Sequence, residues 1–314
     1  MFSSIKFFLV TLLVFSSFAN AELDGLKSNE INRRGPQLKI VYKGYEPTEE
    51  ESKKIEKAVN FLYFFYQEKL NLNLPESLDV KLRIFGDYYS YKIYQMGFSK
   101  STTDGAFYSS KFHEAVVWKR KNDKLLFKDI CHEVSHLLVS NLLNRQQKYF
   151  KKRPLWINEG LSEYFENLVF EDDNIVVKPN LVKFERCKDW LTNDQLISLS
   201  QYLAFNNKEW RANDIKEKQY QSRTLGWSLV YFLFSKPEGS SLVGKILDNM
   251  VNGQTDSKHS INSVVKSYPG GVAALERDWK FWLLQKDQLA VQKIKNEETF
   301  SPDFLQNYKT GGQE

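Results

Sequence analysis

The chain has 314 residues, 42% of them hydrophobic and 26% charged, with 44 lysines and arginines against 39 acids and a net charge of +5. That composition excludes a chain too polar to fold and suits one large domain or two closely packed ones. So mild a surplus gives no case for a nucleic-acid partner.

The N-terminal segment, MFSSIKFFLVTLLVFSSFANAELDG, holds one lysine, an apolar run from Phe7 to Phe15 and the small-x-small triplet Ala19-Asn20-Ala21. This is the pattern of a signal peptide (residues 1–21) cut after Ala21, since the run is short for a bilayer span. No cysteine near the junction could carry a lipid, and no later stretch is apolar for long enough to cross a membrane. The expectation is an exported protein, periplasmic or secreted, without stable membrane insertion.

From Gln37 to Lys119 the runs QLKIVY, LDVKLRIF and HEAVVW alternate in the manner of strands. Between the first two, Pro47-Thr48 with Glu51 forms a capping box that opens a long helix. The aromatic stretch Phe61 to Tyr66 lies on that helix, where packing against a sheet is its expected use. After Asp123 the pattern is almost wholly helical. The expected fold is α+β: a mixed lobe over 22–145, a helical lobe over 146–290, a disordered tail over 291–314, and a cleft where the lobes meet.

Leu126, Phe127, Ile130, Val134, Leu137, Leu138 and Leu142 recur at helical spacing, and neither Gly nor Pro interrupts Leu125 to Leu143. The decapeptide DICHEVSHLL is therefore helical. Positions four apart on a helix differ by about 40° in azimuth and about 6 Å in height, so His132 and His136 can converge on one ion. Glu133, turned by about 100°, is aimed at a water beside the ion. Two histidines and a glutamate side by side would be costly to bury without a partner.

The third donor comes from the next helix. Pro154 is placed to open it, and LWINEGLSEYFE sets Glu159, Glu163 and Glu166 on one face. The interval from His136 is long enough to finish one helix, cross the basic loop 148–153 and return alongside. Glu159 completes a His, His, Glu tripod with a fourth position left for water, and Glu163 is placed to accept the outer N–H of a ligating histidine.

HEVSH followed by LWINEGLSEYFE resembles the gluzincin clan of zinc peptidases, and most closely the peptidase MA-like metallohydrolases. The resemblance is specific over 125–170 and looser in HEAVVW and in YPGGVAALERDWKFWL. It implies a zincin-like fold, one Zn2+ held by His132, His136 and Glu159, Glu133 as general base, Glu163 supporting a histidine, and a peptide or protein substrate. It also implies a tyrosine at the head of a later helix to stabilise the oxyanion. Tyr220 in QYQSRTLGWSLVYFLF is the candidate, while alignment of the helix's apolar part puts Arg223 at that place. The aminopeptidase strand G-x-M-E-N is missing from the sequence, which argues against a dedicated aminopeptidase. A zinc-stabilised scaffold and a non-peptide amidase are the rival readings.

Cys131 and Cys187 are an even pair that permits one disulfide without requiring it, and Cys131 reads as a small buried hydrophobe. His113 and His259 are isolated. Signal cleavage after Ala21 gives a mature N-terminus at Glu22. Intact-mass measurement of the exported protein checks this, and a retained Met1 would restore a membrane anchor.

Overall fold

The computed structural model describes residues 35–75, 77–98, 103–144, 155–171, 174–252, 259–285 and 292–294. These belong to one compact unit beginning at Gly35. The segment read as a signal peptide, the basic run, Pro154 and most of the tail lie outside the described residues.

Three of the alternating runs form a parallel ribbon, β1 (Gln37–Lys43), β2 (Asp79–Phe85) and β4 (Glu114–Trp118). A short strand, β3 (Phe107–Ser109), pairs antiparallel to β4, giving the order β1-β2-β4-β3. Alternation directs Val80, Leu82 and Ile84 of β2 into the main core and leaves Lys81 outside. β4 is apolar in succession because both its faces are covered. Ala115 and Val117 join the main core, while Val116 meets Phe85, Tyr91 and Phe107 in a smaller cluster under helix α2 (Tyr88–Phe98).

Helix α1 (Glu49–Phe64) begins at Thr48 with both capping-box bonds in place: Glu51 N–H to Thr48 Oγ1 at 3.1 Å, and Thr48 N–H to Glu51 Oε2 at 2.9 Å. The aromatic stretch is buried throughout, as its composition requires. Its end winds into one π-turn, Phe65–Lys69, which no sequence signal announced. On that turn Tyr66 shares a 2.7 Å hydrogen bond with Ser135, deep in the core. Ser135 lies on α3 (Asp123–Asn144), the helix that carries DICHEVSHLL and packs on β4 and α1.

The chain then forms α4 (Leu155–Phe165), α5 (Leu181–Thr192), α6 (Leu199–Leu203), α7 (Asn207–Asn213), α8 (Gln221–Phe234), α9 (Gly239–Asn252), α10 (His259–Ser267) and α11 (Gly271–Leu284). One continuous apolar core runs from Ile55 to Leu283 through both the sheet and these helices. The coarse α+β expectation therefore stands, with one addition. LVFE and NIVV form a hairpin, β5 (Leu168–Glu171) and β6 (Asn174–Val177), and β7 (Gln292–Ile294), inside the segment read as tail, pairs antiparallel with β6. Cys131 and Cys187 are both free and buried.

Helices α4 and α8 touch backbone to backbone. A Cβ on Gly160 would lie 2.6 Å from the Gly226 carbonyl oxygen and 2.8 Å from Val230 Cγ2, and one on Gly226 would lie 2.9 Å from the Trp156 carbonyl oxygen. The absence of side chains at this crossing is what lets α4 approach α8 so closely. Gly160→Ala should therefore destabilise the fold by about 1–3 kcal/mol in urea unfolding, the overpacking cost exceeding the roughly 1 kcal/mol gained in helix propensity. Gly97→Ala, on an exposed turn of α2 where a Cβ meets nothing within 4 Å, should instead be neutral or stabilising.

Candidate metal centre

The centre is built from two facing helices. α3 supplies His132, Glu133 and His136, and α4 supplies Glu159, one residue before the glycine at the α8 crossing. The two Nε2 atoms of His132 and His136 lie 3.2 Å apart, and Glu159 Oε2 is 3.7 Å from His136 Nε2. One donor atom from each of the three side chains falls within 4.8 Å of the others.

The outer nitrogens explain the inner geometry. His132 Nδ1 faces Glu166 Oε2 at 3.3 Å, and His136 Nδ1 faces Asn158 Oδ1 and Ser162 Oγ, each at 3.1 Å. In the tautomer where both Nδ1 atoms donate to these oxygens, the neutral rings turn two Nε2 lone pairs toward each other. That arrangement is repulsive unless a cation lies between them. In a tetrahedral site with bonds of about 2.0–2.1 Å, donors are separated by about 3.3–3.4 Å, close to the spacings here. A divalent cation of the zinc class fits this donor set, and the nitrogen and carboxylate chemistry suits it.

Burial sets the ionisation of the surrounding groups. Burial pushes the Glu133 carboxyl up to about 8; the neighbouring histidine opposes this, while Glu159 and Asp129 add to it. Burial opposes charge on Glu159 too, yet His136, His132 and Arg223 together hold it below the usual carboxylate range. For His132 burial acts against protonation, but Glu166, Glu133 and Glu159 outweigh it and raise the imidazole above its ordinary value.

The structure gives Glu163 a different neighbour from the one expected. It forms an ion pair with Lys183 of α5, and its other oxygen lies 3.7 Å from Arg223 NH1. Glu166, one residue past the end of α4, meets His132 instead and is also contacted by Lys128 at 3.0 Å and Lys183 at 3.4 Å. His132, Glu163 and Glu166 form a second convergent group, but two ammonium groups already answer its charge. Among the described residues the donors thus form two groups that could hold an ion, His132, His136 and Glu159, and His132, Glu163 and Glu166.

Tyr220 stands at the N-cap position of α8 in the left-handed conformation, 40% exposed, with the Arg223 guanidinium over its ring at 5.5 Å. His113 pairs with the Tyr108 hydroxyl at 3.0 Å, apart from the donor set. Sequence reasoning missed Asn158 and Ser162, although both flank Glu159 in NEGLS and lie one turn apart. It had no means of finding Lys183 or Asp214, which arrive from distant segments.

Among the described residues no helix is long and apolar enough to cross a membrane. The profile of a family described as "Protein of unknown function (DUF1570)" matches residues 127–247, a stretch that contains HEVSH, helix α4, Lys183 and Arg223. No curated protein matches the chain.

His136→Ala and Glu159→Ala should each abolish stoichiometric zinc binding by elemental analysis, since each removes one leg of the tripod. Glu166→Gln should keep the fold and weaken zinc affinity by about 10–100-fold, the usual cost of losing a carboxylate behind a ligating histidine. An unchanged affinity would return that role to Glu163.

Proposed function

We propose that the chain is an exported zinc-dependent metallopeptidase, with His132, His136 and Glu159 as the ligands of one Zn2+ and Glu133 as the general base. The observation that carries this reading is the placement of Glu133, a carboxylate only 6% exposed, directly beside three convergent donors. A purely structural zinc site closes its fourth position with protein and has no use for a base.

Zinc in such a set supplies Lewis acidity, which acidifies water and polarises a carbonyl. The chain's own groups account for the remaining chemistry. Glu133 takes a proton from the attacking water as its oxygen bonds to the carbonyl carbon, then delivers that proton to the amine nitrogen as the C–N bond breaks. Glu166 holds the His132 tautomer, and Asn158 with Ser162 holds that of His136, so that both Nε2 atoms stay available. Lys183 and Lys128 balance Glu163 and Glu166, leaving Glu159 as the carboxylate free to ligate. The leader-like N-terminus supports export, and the likeness of HEVSH and LWINEGLSEYFE to gluzincin peptidases supports a peptide or protein substrate.

Glu133→Gln keeps size and helix preference but cannot accept a proton. It should retain about one zinc per chain while hydrolysis of a denatured protein substrate falls by roughly several orders of magnitude. A wild type that binds zinc and cleaves nothing across a broad peptide library would instead identify a scaffold.

A further inference from the structure

His132, Glu163 and Glu166 bring their donor atoms within 4.8 Å of one another, the same closeness as in the His132, His136, Glu159 group. The two groups are two sides of one imidazole. His132 Nε2 faces His136 at 3.2 Å, and His132 Nδ1 faces Glu166 at 3.3 Å. Two carboxylates and an imidazole are the chemistry of an ion site, yet this side already holds a cation. Lys183 Nζ pairs with Glu163 and lies 3.4 Å from Glu166 Oε1, so one ammonium spans both carboxylates. The neighbouring cations do less. Lys128 meets Glu166 at 3.0 Å with a side chain 39% exposed, against 11% for Lys183. Arg223 is committed elsewhere: its Nε donates to both oxygens of Asp214 at 3.0 Å and its NH2 to Oδ2 at 2.6 Å, while NH1 stays 3.7 Å from Glu163.

The position of Lys183 on its helix opposes a cation. It is the third residue of α5, where the helix dipole disfavours positive charge, and the first turn of α5 contains no acid. Burial, with Lys128 and Arg223 nearby, draws the ammonium below the usual lysine range, so its charge is held by the carboxylates that it meets. Its backbone is fixed as well. Asn180 Oδ1 accepts from the Lys183 N–H at 3.1 Å, and Phe184 and Cys187 anchor the same helix in the main core. The side chain therefore starts from a set point and ends between two acids.

We propose, resting on the zinc reading above, that Lys183 is a tethered cation standing in place of a second divalent ion, and that it limits this centre to one metal. An ion bound by Glu163 and Glu166 would lie against the ammonium, and their repulsion excludes it. With the lysine removed, two buried carboxylates lose their shared counter-ion together, and leaving them unpaired is costly. An ion of the zinc class, which these oxygens and the imidazole suit, is then the replacement.

The test counts zinc in the wild type, Lys183→Met, Lys183→Arg and the double variant Lys183→Met with Glu163→Gln. Zinc per chain is read by elemental analysis after desalting and by calorimetric titration with Zn2+. The wild type should hold about one zinc and Lys183→Met about two, the second binding at least about a hundredfold tighter than any second equivalent on the wild type. Lys183→Arg keeps the charge and should stay at one. The double variant loses a donor of the new group and should return to one, which separates that group from zinc bound elsewhere on the surface. Two zinc ions on the wild type, on Lys183→Arg or on the double variant, or only one on Lys183→Met, would overturn the assignment. So would a Lys183→Met chain that folds at no zinc concentration, because an ion able to replace the lysine would also rescue the fold. A wild type that binds no zinc removes the metal reading itself, whereas one zinc on both the wild type and Lys183→Met removes only the role of Lys183.

Discussion

Three glutamates along and just past a short helix, two of them buried, dictate much of what surrounds them. Charges so close together in a low-dielectric interior repel by several kcal/mol unless each finds a cation. The fold answers each one separately. Glu163 has Lys183, Glu166 has Lys128 and His132, and Glu159 is left facing the Nε2 atoms of the histidine pair. Lysine ammonium groups are compact point charges, so two of them fit against this face where a second metal ion would otherwise find ligands. The lysines thus neutralise part of a cluster of five acidic and imidazole groups, His132, His136, Glu159, Glu163 and Glu166.

The same division separates what holds the donors from what acts. The α3 helix is fixed from behind by Tyr66 on the π-turn and from below by β4, so the spacing of His132 and His136 is set by the core. Glu159 depends on the glycine crossing with α8, and Arg223 depends on a turn whose backbone resists its own conformation. Donors rest on regular elements, whereas the helix that carries Arg223 is entered through two consecutive left-handed residues, Gln219 and Tyr220.

The sequence made the donors legible because helical periodicity converts spacing into geometry. HEVSH on an uninterrupted helix and a glutamate in the following one suffice to place His132, Glu133, His136 and Glu159 together. The strands β1, β2 and β4 and the Thr48 capping box were legible for the same reason, being local patterns with local causes. The partners of Nδ1 were harder. Glu163 and Glu166 are three residues apart and both acidic, and Lys183, which lies in another helix and meets both of them, had no local signature. Asp214 and the left-handed turn at Gln219 had no local signature at all. The β5–β6 hairpin had one, β-branched runs either side of acidic residues, but it was hidden within a region whose overall texture is helical.

The glycine contact has a mechanical consequence. Because α4 and α8 meet without intervening side chains, Glu159 and Arg223 lie on what is effectively one stiff body. Backbone atoms at van der Waals distance leave no rotamer through which the two helices could slide. His132, Glu133 and His136 lie on another body, α3, joined to the first through side chains that can readjust. Relative motion here would therefore be concentrated along a single coordinate, the gap between α3, which carries His132, Glu133 and His136, and the α4–α8 pair, which carries Glu159 and Arg223. Thermal breathing would widen or narrow that gap while leaving the spacing within each half nearly constant.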